Sequence, residues 1–393
     1  MKLFFKLLFA TSITLLIGCT ENPKYDLVIS NVNLFDGEKN QGIVNIGINK
    51  DSIAAITTHE LTSENVIDGK GKFVMPGMVN SHTHMTTIEN VKEGFTHGIM
   101  ANLNMHTGNE SRELQWKQMS RDSVNFPFLF GAGYAATVPG GHPTQFSKGM
   151  ETISDSISIK TWVDNRIANG ADYIKIVRDN HPFLQYPAGN TLTYEQIDSI
   201  ILYARNRGYK TVVHAVEPDQ FLRISQSKPN GFIHTQVFVS DIKLDKSDWQ
   251  LIKKSGVFFT PNFMLDSQNH NFEDEADKKW AMENFLAIEE YIEFVKEIHS
   301  NGITLLAGTD SPNAGLNFGS DFIKELKFFK RVGLSNDEIL KIATGNPAKA
   351  FDLPVGLLKE GSKANLLLLT KSPLEDINNI EEIEIILKNG IKN

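Results

Sequence analysis

The stretch MPGMVNSHTHM, Met75 to Met85, sets His82 and His84 one residue apart, directly after an apolar run broken by Pro76 and Gly77. On an extended strand that spacing turns both imidazoles to one face. Such a pair is a metal-ligand arrangement if other ligands arrive from other strands, and a packing pair if they do not. Other ligand types do close β-rich runs: Lys175 sits inside ADYIKIV, His214 ends YKTVVH, His234 ends GFIH and Asp310 ends ITLLAGTD. Taken singly, each has an ordinary reading. Asp310, followed by Ser311 and Pro312, could cap a helix, Lys175 could be an ion-pairing lysine, and each histidine could serve packing. Together, these six polar residues would leave costly unpaired groups at apolar strand ends unless they share a site. Four imidazoles, a carboxylate and a lysine converging from five strand ends point to a metal site.

The elements that must position these residues are legible in outline. The segment 25–75 reads as strands: YDLVISNVNLFDG alternates and turns at Asp36-Gly37, GIVNIGINKDSIAAI does the same, and NVIDGKGKFVMPG carries two more turn signals. From Gly77 onward, β-rich runs such as DYIKIV, KTVVHAV and GVFFTP are separated by longer stretches with helical spacing. Ile288, Tyr291, Ile292, Val295 and Ile298 recur at three and four residues, and SNDE, Ser335 to Glu338, is a capping-box pattern. Alternating strands and helices over this length predict an α/β fold, a (β/α)8 TIM-like barrel over 76–351 whose chemistry lies at the carboxyl ends of its strands. The tail 352–393 returns to strand character, so both chain ends are expected to build one small β-sandwich domain.

The first 18 residues, MKLFFKLLFATSITLLIG, have Lys2 and Lys6 ahead of an apolar stretch without acidic residues, the pattern of a signal peptide. The apolar part is shorter than the roughly 20 residues a spanning helix needs. LIGC, Leu16 to Cys19, resembles the lipobox of bacterial lipoproteins, which implies lipidation at Cys19, residues 19–24 as a tether, and a cell-envelope location, at the outer membrane on its periplasmic or surface side. Cys19 is the only cysteine, which argues against disulfides, a zinc–thiolate site and a cysteine nucleophile. A formal charge of −8 with no basic patch argues against nucleic acid as a partner. A small-molecule substrate is expected instead, with membrane contact through the lipid anchor only and an oligomer compatible with the sequence.

The same motifs carry a family resemblance. VMPGMVNSHTHM, GADYIKI, VVHA, GFIHT and LAGTDSP resemble, in order and spacing, the first, fourth, fifth, sixth and eighth strand motifs of the amidohydrolase superfamily of metal-dependent hydrolases, in its prolidase-like and imidazolonepropionase-like branch. ATGNPAKAF through GLLKEGSKANLLLLTKSPLEDI resembles that family's closing helix and return to the β domain. Three positions depart from the pattern: Asn80 and Asn365 stand where the family has aspartates, and His234 lacks a preceding glutamate. The resemblance implies two divalent metal ions, with zinc expected. His82, His84 and Asp310 would hold the first, His214 and His234 the second, and a carbamylated Lys175 would bridge them. It further implies that a water shared by both ions is acidified toward ~7 and that Asp310 is the catalytic residue, general base and then acid.

Tyr134 to Pro143, YAATVPGGHP, is expected as a loop over the site, with Tyr134 and His142 as candidate substrate contacts. The family's Gly-Gly-His segment implies a carboxylate- or carbonyl-binding role for His142, and a loop histidine in a Gly-Pro turn is the plainer reading. HAVE, His214 to Glu217, is similar to the His-x-x-Glu of deaminases in the same superfamily. Three functions therefore stand: hydrolysis of an amide bond in a dipeptide, N-acyl amino acid or cyclic amide; a single-metal deaminase-type reaction using Glu217; and a catalytically silent binding lipoprotein.

Overall fold

The computed structural model describes residues 24–179, 181, 189–268, 271 and 273–393. The signal-peptide and lipidation readings, Cys19 included, lie outside the described residues.

Eight short parallel strands follow one another from Met78 onward: β1 (Met78–Thr83), β2 (Ile99–Asn104), β3 (Phe128–Gly131), β4 (Ile174–Val177), β5 (Thr211–His214), β6 (Gly231–Ile233), β7 (Phe258–Thr260) and β8 (Thr304–Leu305). They pair in the orders β3-β2-β1 and β4-β5-β6-β7-β8. Two seams close the ring. Ala136 bridges Ile176 in parallel, its N–H donating to the Lys175 carbonyl at 2.8 Å, and Thr83 bridges Ser311 in parallel, with the Asp310 N–H donating to the His82 carbonyl at 2.9 Å. The result is the TIM-like barrel expected from the β/α alternation. Its strands read as near-continuous apolar runs because both faces are covered, the inner by opposing side chains and the outer by helices. The β8–β1 seam is close enough that a side chain at Gly308 would stand 2.8 Å from the His82 backbone, so only glycine fits there.

Helices cover the barrel as the spacing predicts. Ile288–Ser300 buries Tyr291, Ile292, Val295 and Ile298 on one stripe. Asn336–Ala343 starts at Ser335, whose hydroxyl accepts from the Glu338 N–H at 3.3 Å while Glu338 Oε2 accepts from the Ser335 N–H at 2.8 Å.

Both chain ends join in one eight-stranded sheet, ordered Ile391–Lys392, Ile383–Lys388, Leu366–Leu369, Phe73–Pro76, Leu27–Phe35, Asn40–Asn49 and Ser52–Thr57, with Val66–Asp68 also pairing Leu27–Phe35. The run LLLL, with no polar alternation, is explained by its two faces. Leu366 and Leu368 pack with Ile46, Val74 and Ile385 in the sheet's own core, whereas Leu367 and Leu369 pack into the barrel core beside Phe73 and Met75. No described residue of this sheet lines the candidate site.

Candidate metal centre

The six residues singled out at strand ends come together. His82 and His84 leave β1, Lys175 stands in β4, His214 closes β5, His234 follows β6 and Asp310 follows β8, and all six line one cavity of about 790 Å³. The Nε2 atoms of His82 and His84 are 3.2 Å apart, and each lies about as far from Asp310 Oδ1, at 3.0 and 2.9 Å. Ligands 2.0–2.1 Å from a tetrahedral zinc ion stand roughly 3.3 Å from one another, so this triangle has the dimensions of one face of such a site. His234 supplies a further nitrogen: ligand atoms of His82, His234 and Asp310 all lie within 4.8 Å of one another. Its ring is 4.9 Å from that of His82 and 4.5 Å from that of His214.

Local backbone and hydrogen bonds fix this arrangement. His234 (φ 72°) and Asp310 (φ 65°) both adopt the left-handed region, at a cost of order 1–3 kcal/mol each, which surrounding structure must offset. His82 Nδ1 bonds Asn262 Oδ1 at 3.1 Å, and Asn262 Nδ2 donates to the Gly308 carbonyl at 2.8 Å. An amide oxygen can only accept, so the His82 proton sits on Nδ1 and the Nε2 lone pair points at Asp310 and His84. Asn80 donates to Thr309 Oγ1 at 2.9 Å and accepts from the Thr309 N–H at 3.2 Å, tying β1 to the segment after β8. An ionised aspartate could not donate the first of these bonds.

The electrostatics suit cation binding. Burial lowers the His82 imidazole to about 4, against the pull of Asp310, and so keeps it neutral. Burial also lowers the Lys175 ammonium to about 7, so a neutral amine, the form able to take up carbon dioxide, is accessible at physiological pH. Burial raises the Asp310 carboxyl, but the adjoining His82 and His84 outweigh it and hold the group well below the ordinary carboxylate range. His214 Nε2 is buried without an aligned hydrogen bond, although Asp179 Oδ2 lies 3.3 Å away. The neutral His82 imidazole, a His214 ring nitrogen without an aligned hydrogen bond and an ionised carboxylate form a donor set that fits divalent metal ions.

Around these residues stand groups that the sequence did not point to. Asp179 follows β4 two and four residues beyond Val177 and Lys175, and all three line the cavity, as period-two alternation requires. Asp179 Oδ1 lies 3.0 Å from His181 Nδ1, and His181 Nε2 lies 3.1 Å from Glu217 Oε1. His106, just past β2, also lines the cavity; its Nδ1 accepts from the Ala135 N–H at 3.2 Å and its Nε2 bonds Ser147 Oγ at 2.8 Å.

Two substrate contacts were expected from the loop after β3. His142 lines the cavity, its ring 5.4 Å from that of His214, with Nδ1 accepting from Gln145 Nε2 at 2.7 Å. Tyr134 does not line it: its ring faces the Arg166 guanidinium at 4.9 Å, because the backbone turns Ala135 toward the cavity instead. Glu217 does not line it either, its oxygens being engaged by His181 and, at 2.8 Å, by Gln220 Nε2.

Comparison with known proteins agrees with this geometry. The chain resembles the 5'-deoxyadenosine deaminase of Methanocaldococcus jannaschii, at 22% identity over 86% of this chain and 84% of that one. It also resembles the ochratoxinase of Aspergillus niger, at 28% identity over 61% of this chain and 49% of the fungal protein. In structure it superposes on a Xaa-Pro dipeptidase with a TM-score of 0.78 and 19% identity, over 93% of this chain and 99% of that chain. The sequence profile of the amidohydrolase family matches residues 73–391, from the last strand before the barrel to the end of the β domain, and the chain belongs to that family.

Proposed function

We propose that this protein hydrolyses an amide-type C–N bond with the help of two divalent metal ions. The observation that carries the reading is the His82–His84–Asp310 triangle, set in one cavity with Lys175, His214 and His234. His82, His84 and Asp310 would hold one ion and His214 and His234 the other, with Lys175, as its carbamate, a further ligand. Bound there, the ions supply Lewis acidity that lowers the pKa of water and polarises a carbonyl. The protein's own residues do the remaining work. Asp310, ionised and facing the ligand cluster, accepts a proton from the attacking water and returns it to the departing nitrogen. His142, with Nδ1 occupied by Gln145, keeps Nε2–H as a neutral donor for a substrate carbonyl. Phe146, Val216, Val237, Phe238 and Leu265 form an apolar part of the cavity wall. Dipeptides, N-acyl amino acids and cyclic amides all present the required bond.

The resemblance to a deaminase favours a second reading, one metal with Glu217 moving protons. Against it, Glu217 is held by His181 and Gln220 away from the cavity. Metal analysis of the purified protein separates the two. About two equivalents per chain, with release of amine from an amide panel, supports hydrolysis; one equivalent, with ammonia release from an aminopurine, supports deamination. We place the enzyme at the cell envelope, anchored through Cys19, on the strength of the LIGC motif.

A further inference from the structure

We infer that the substrate is an uncharged amide carrying an apolar group, and that molecules with a free carboxylate beside the scissile bond are rejected. The inference rests on the hydrolase reading above and narrows it. With the metal ions engaged by the scissile carbonyl and the attacking water, recognition of a carboxylate elsewhere on the wall takes a further fixed cation, since an unpaired buried charge is costly. Among the described residues lining this cavity there is no arginine, and the only lysine is Lys175, which the metal centre engages. Arg178, next along the chain from Val177, is turned away: its guanidinium lies 4.0 Å over the Tyr194 ring. The short undescribed stretches inside the chain contain neither lysine nor arginine.

The histidines on the wall do not supply the charge either. His106 accepts the Ala135 N–H and His142 accepts from Gln145, so each has a ring nitrogen occupied as an acceptor and is neutral. His181 lies between the carboxylates of Asp179 and Glu217, so whatever charge it carries is already matched, and the trio is acidic as a whole. A substrate carboxylate would meet Asp179 at the wall rather than a cation.

The same wall offers an apolar shelf. Phe238 stacks on Phe285 with ring centroids 5.3 Å apart and planes 26° from parallel, and on its His181 side the centroids are 4.2 Å apart at 16°. Both faces of the Phe238 ring are thus taken and only its edge is left to the cavity, where with Phe146, Val216 and Leu265 it forms a surface that suits an apolar substituent.

The test compares N-phenylacetyl-benzylamine with N-phenylacetyl-phenylglycine, which differ by one carboxylate on the carbon bearing the leaving nitrogen. Both are assayed with the metal-loaded protein for kcat/KM and, separately, for binding by calorimetry. The neutral amide is expected to be preferred by about 100-fold in kcat/KM, and Phe238→Ala to raise its KM by about tenfold with a smaller change in kcat. Equal or better turnover or binding of the phenylglycine compound overturns the inference. If neither compound is cleaved by protein holding two metal equivalents, the hydrolase reading fails for this substrate class. Calorimetry still decides the inference in that case, tighter binding of the neutral amide supporting it and tighter binding of the acid overturning it.

Discussion

Asn262 Oδ1 accepts the Nδ1 proton of His82 across 3.1 Å, joining the loop after β7 to the first histidine of the site. The bond fixes which ring nitrogen is free, and Asn262 is itself held by the Gly308 carbonyl. Asn262→Leu keeps the volume but loses the acceptor, leaving the ring free to turn and change tautomer. Metal affinity should fall by roughly 10- to 100-fold, as for other residues that orient a ligand. Titration against a competing chelator measures it, and parent-like affinity in a folded variant would show that His82 needs no such support.

Lys175 has no ion-pair partner among the described residues and lines the cavity beside the histidines. Lys175→Ala should lower metal content below two equivalents and reduce turnover by orders of magnitude. The barrel should remain folded, since its stability comes from its apolar layers. Short carboxylic acids added in solution should restore part of the activity by standing in for the carbamate oxygens. Two metals and near-parent rates in the variant would sink the bridged mechanism.

Much of this site was legible because each ligand ends an apolar strand, and only a shared site explains six such interruptions. Asp179 could have been found by extending the Lys175–Val177 alternation one step past the strand. Asn262 could not: a neutral amide carries no charge signal, and its partner is 180 residues away in sequence. Tyr134 shows the converse limit. An aromatic residue at the start of an expected loop reads as a cavity contact, and only the backbone direction reveals that Ala135 faces inward while the ring packs on Arg166. In the β domain the alternating strands were evident, but period-two reasoning treats LLLL as ambiguous until two different cores are seen to cover its two faces.

Glu217 discriminates the two chemistries. If it only holds His181 and Gln220, Glu217→Gln should change kcat by less than about tenfold. A general acid–base at that position would cost about 10²–10⁴. Steady-state rates at saturating substrate decide it, and a loss in the higher range would move the assignment to the deaminase-type reaction.

Location can be tested apart from chemistry. Cys19→Ala should leave the chain unprocessed or in the soluble fraction while metal content and activity stay at parent levels, because lipid on that cysteine is the proposed anchor. Equal membrane association of variant and parent after fractionation would remove the lipoprotein assignment.

Glu113 lies in the helix Glu110–Asp122 beneath β2 and β3, where its Oε2 accepts the Gly133 N–H at 3.0 Å and its Oε1 accepts from Asn104. Burial raises its carboxyl to about 7 despite these donors and the nearby Lys117. The folded state therefore holds a proton more tightly than the unfolded chain, whose value is near 4.5. The stability this contributes is fully present below the unfolded value and is lost as pH rises through the folded one. The gap corresponds to a loss on the order of 3 kcal/mol. Glu113→Gln removes the titration while keeping the side chain's length, although its amide cannot serve both donors. The absolute melting temperatures will therefore differ by an offset, and the slope is what matters: between about pH 5 and about pH 8 the parent should lose stability relative to the variant. Parallel melting-temperature curves across that range would show that Glu113 stays ionised in the folded protein and that the two donors outweigh its burial.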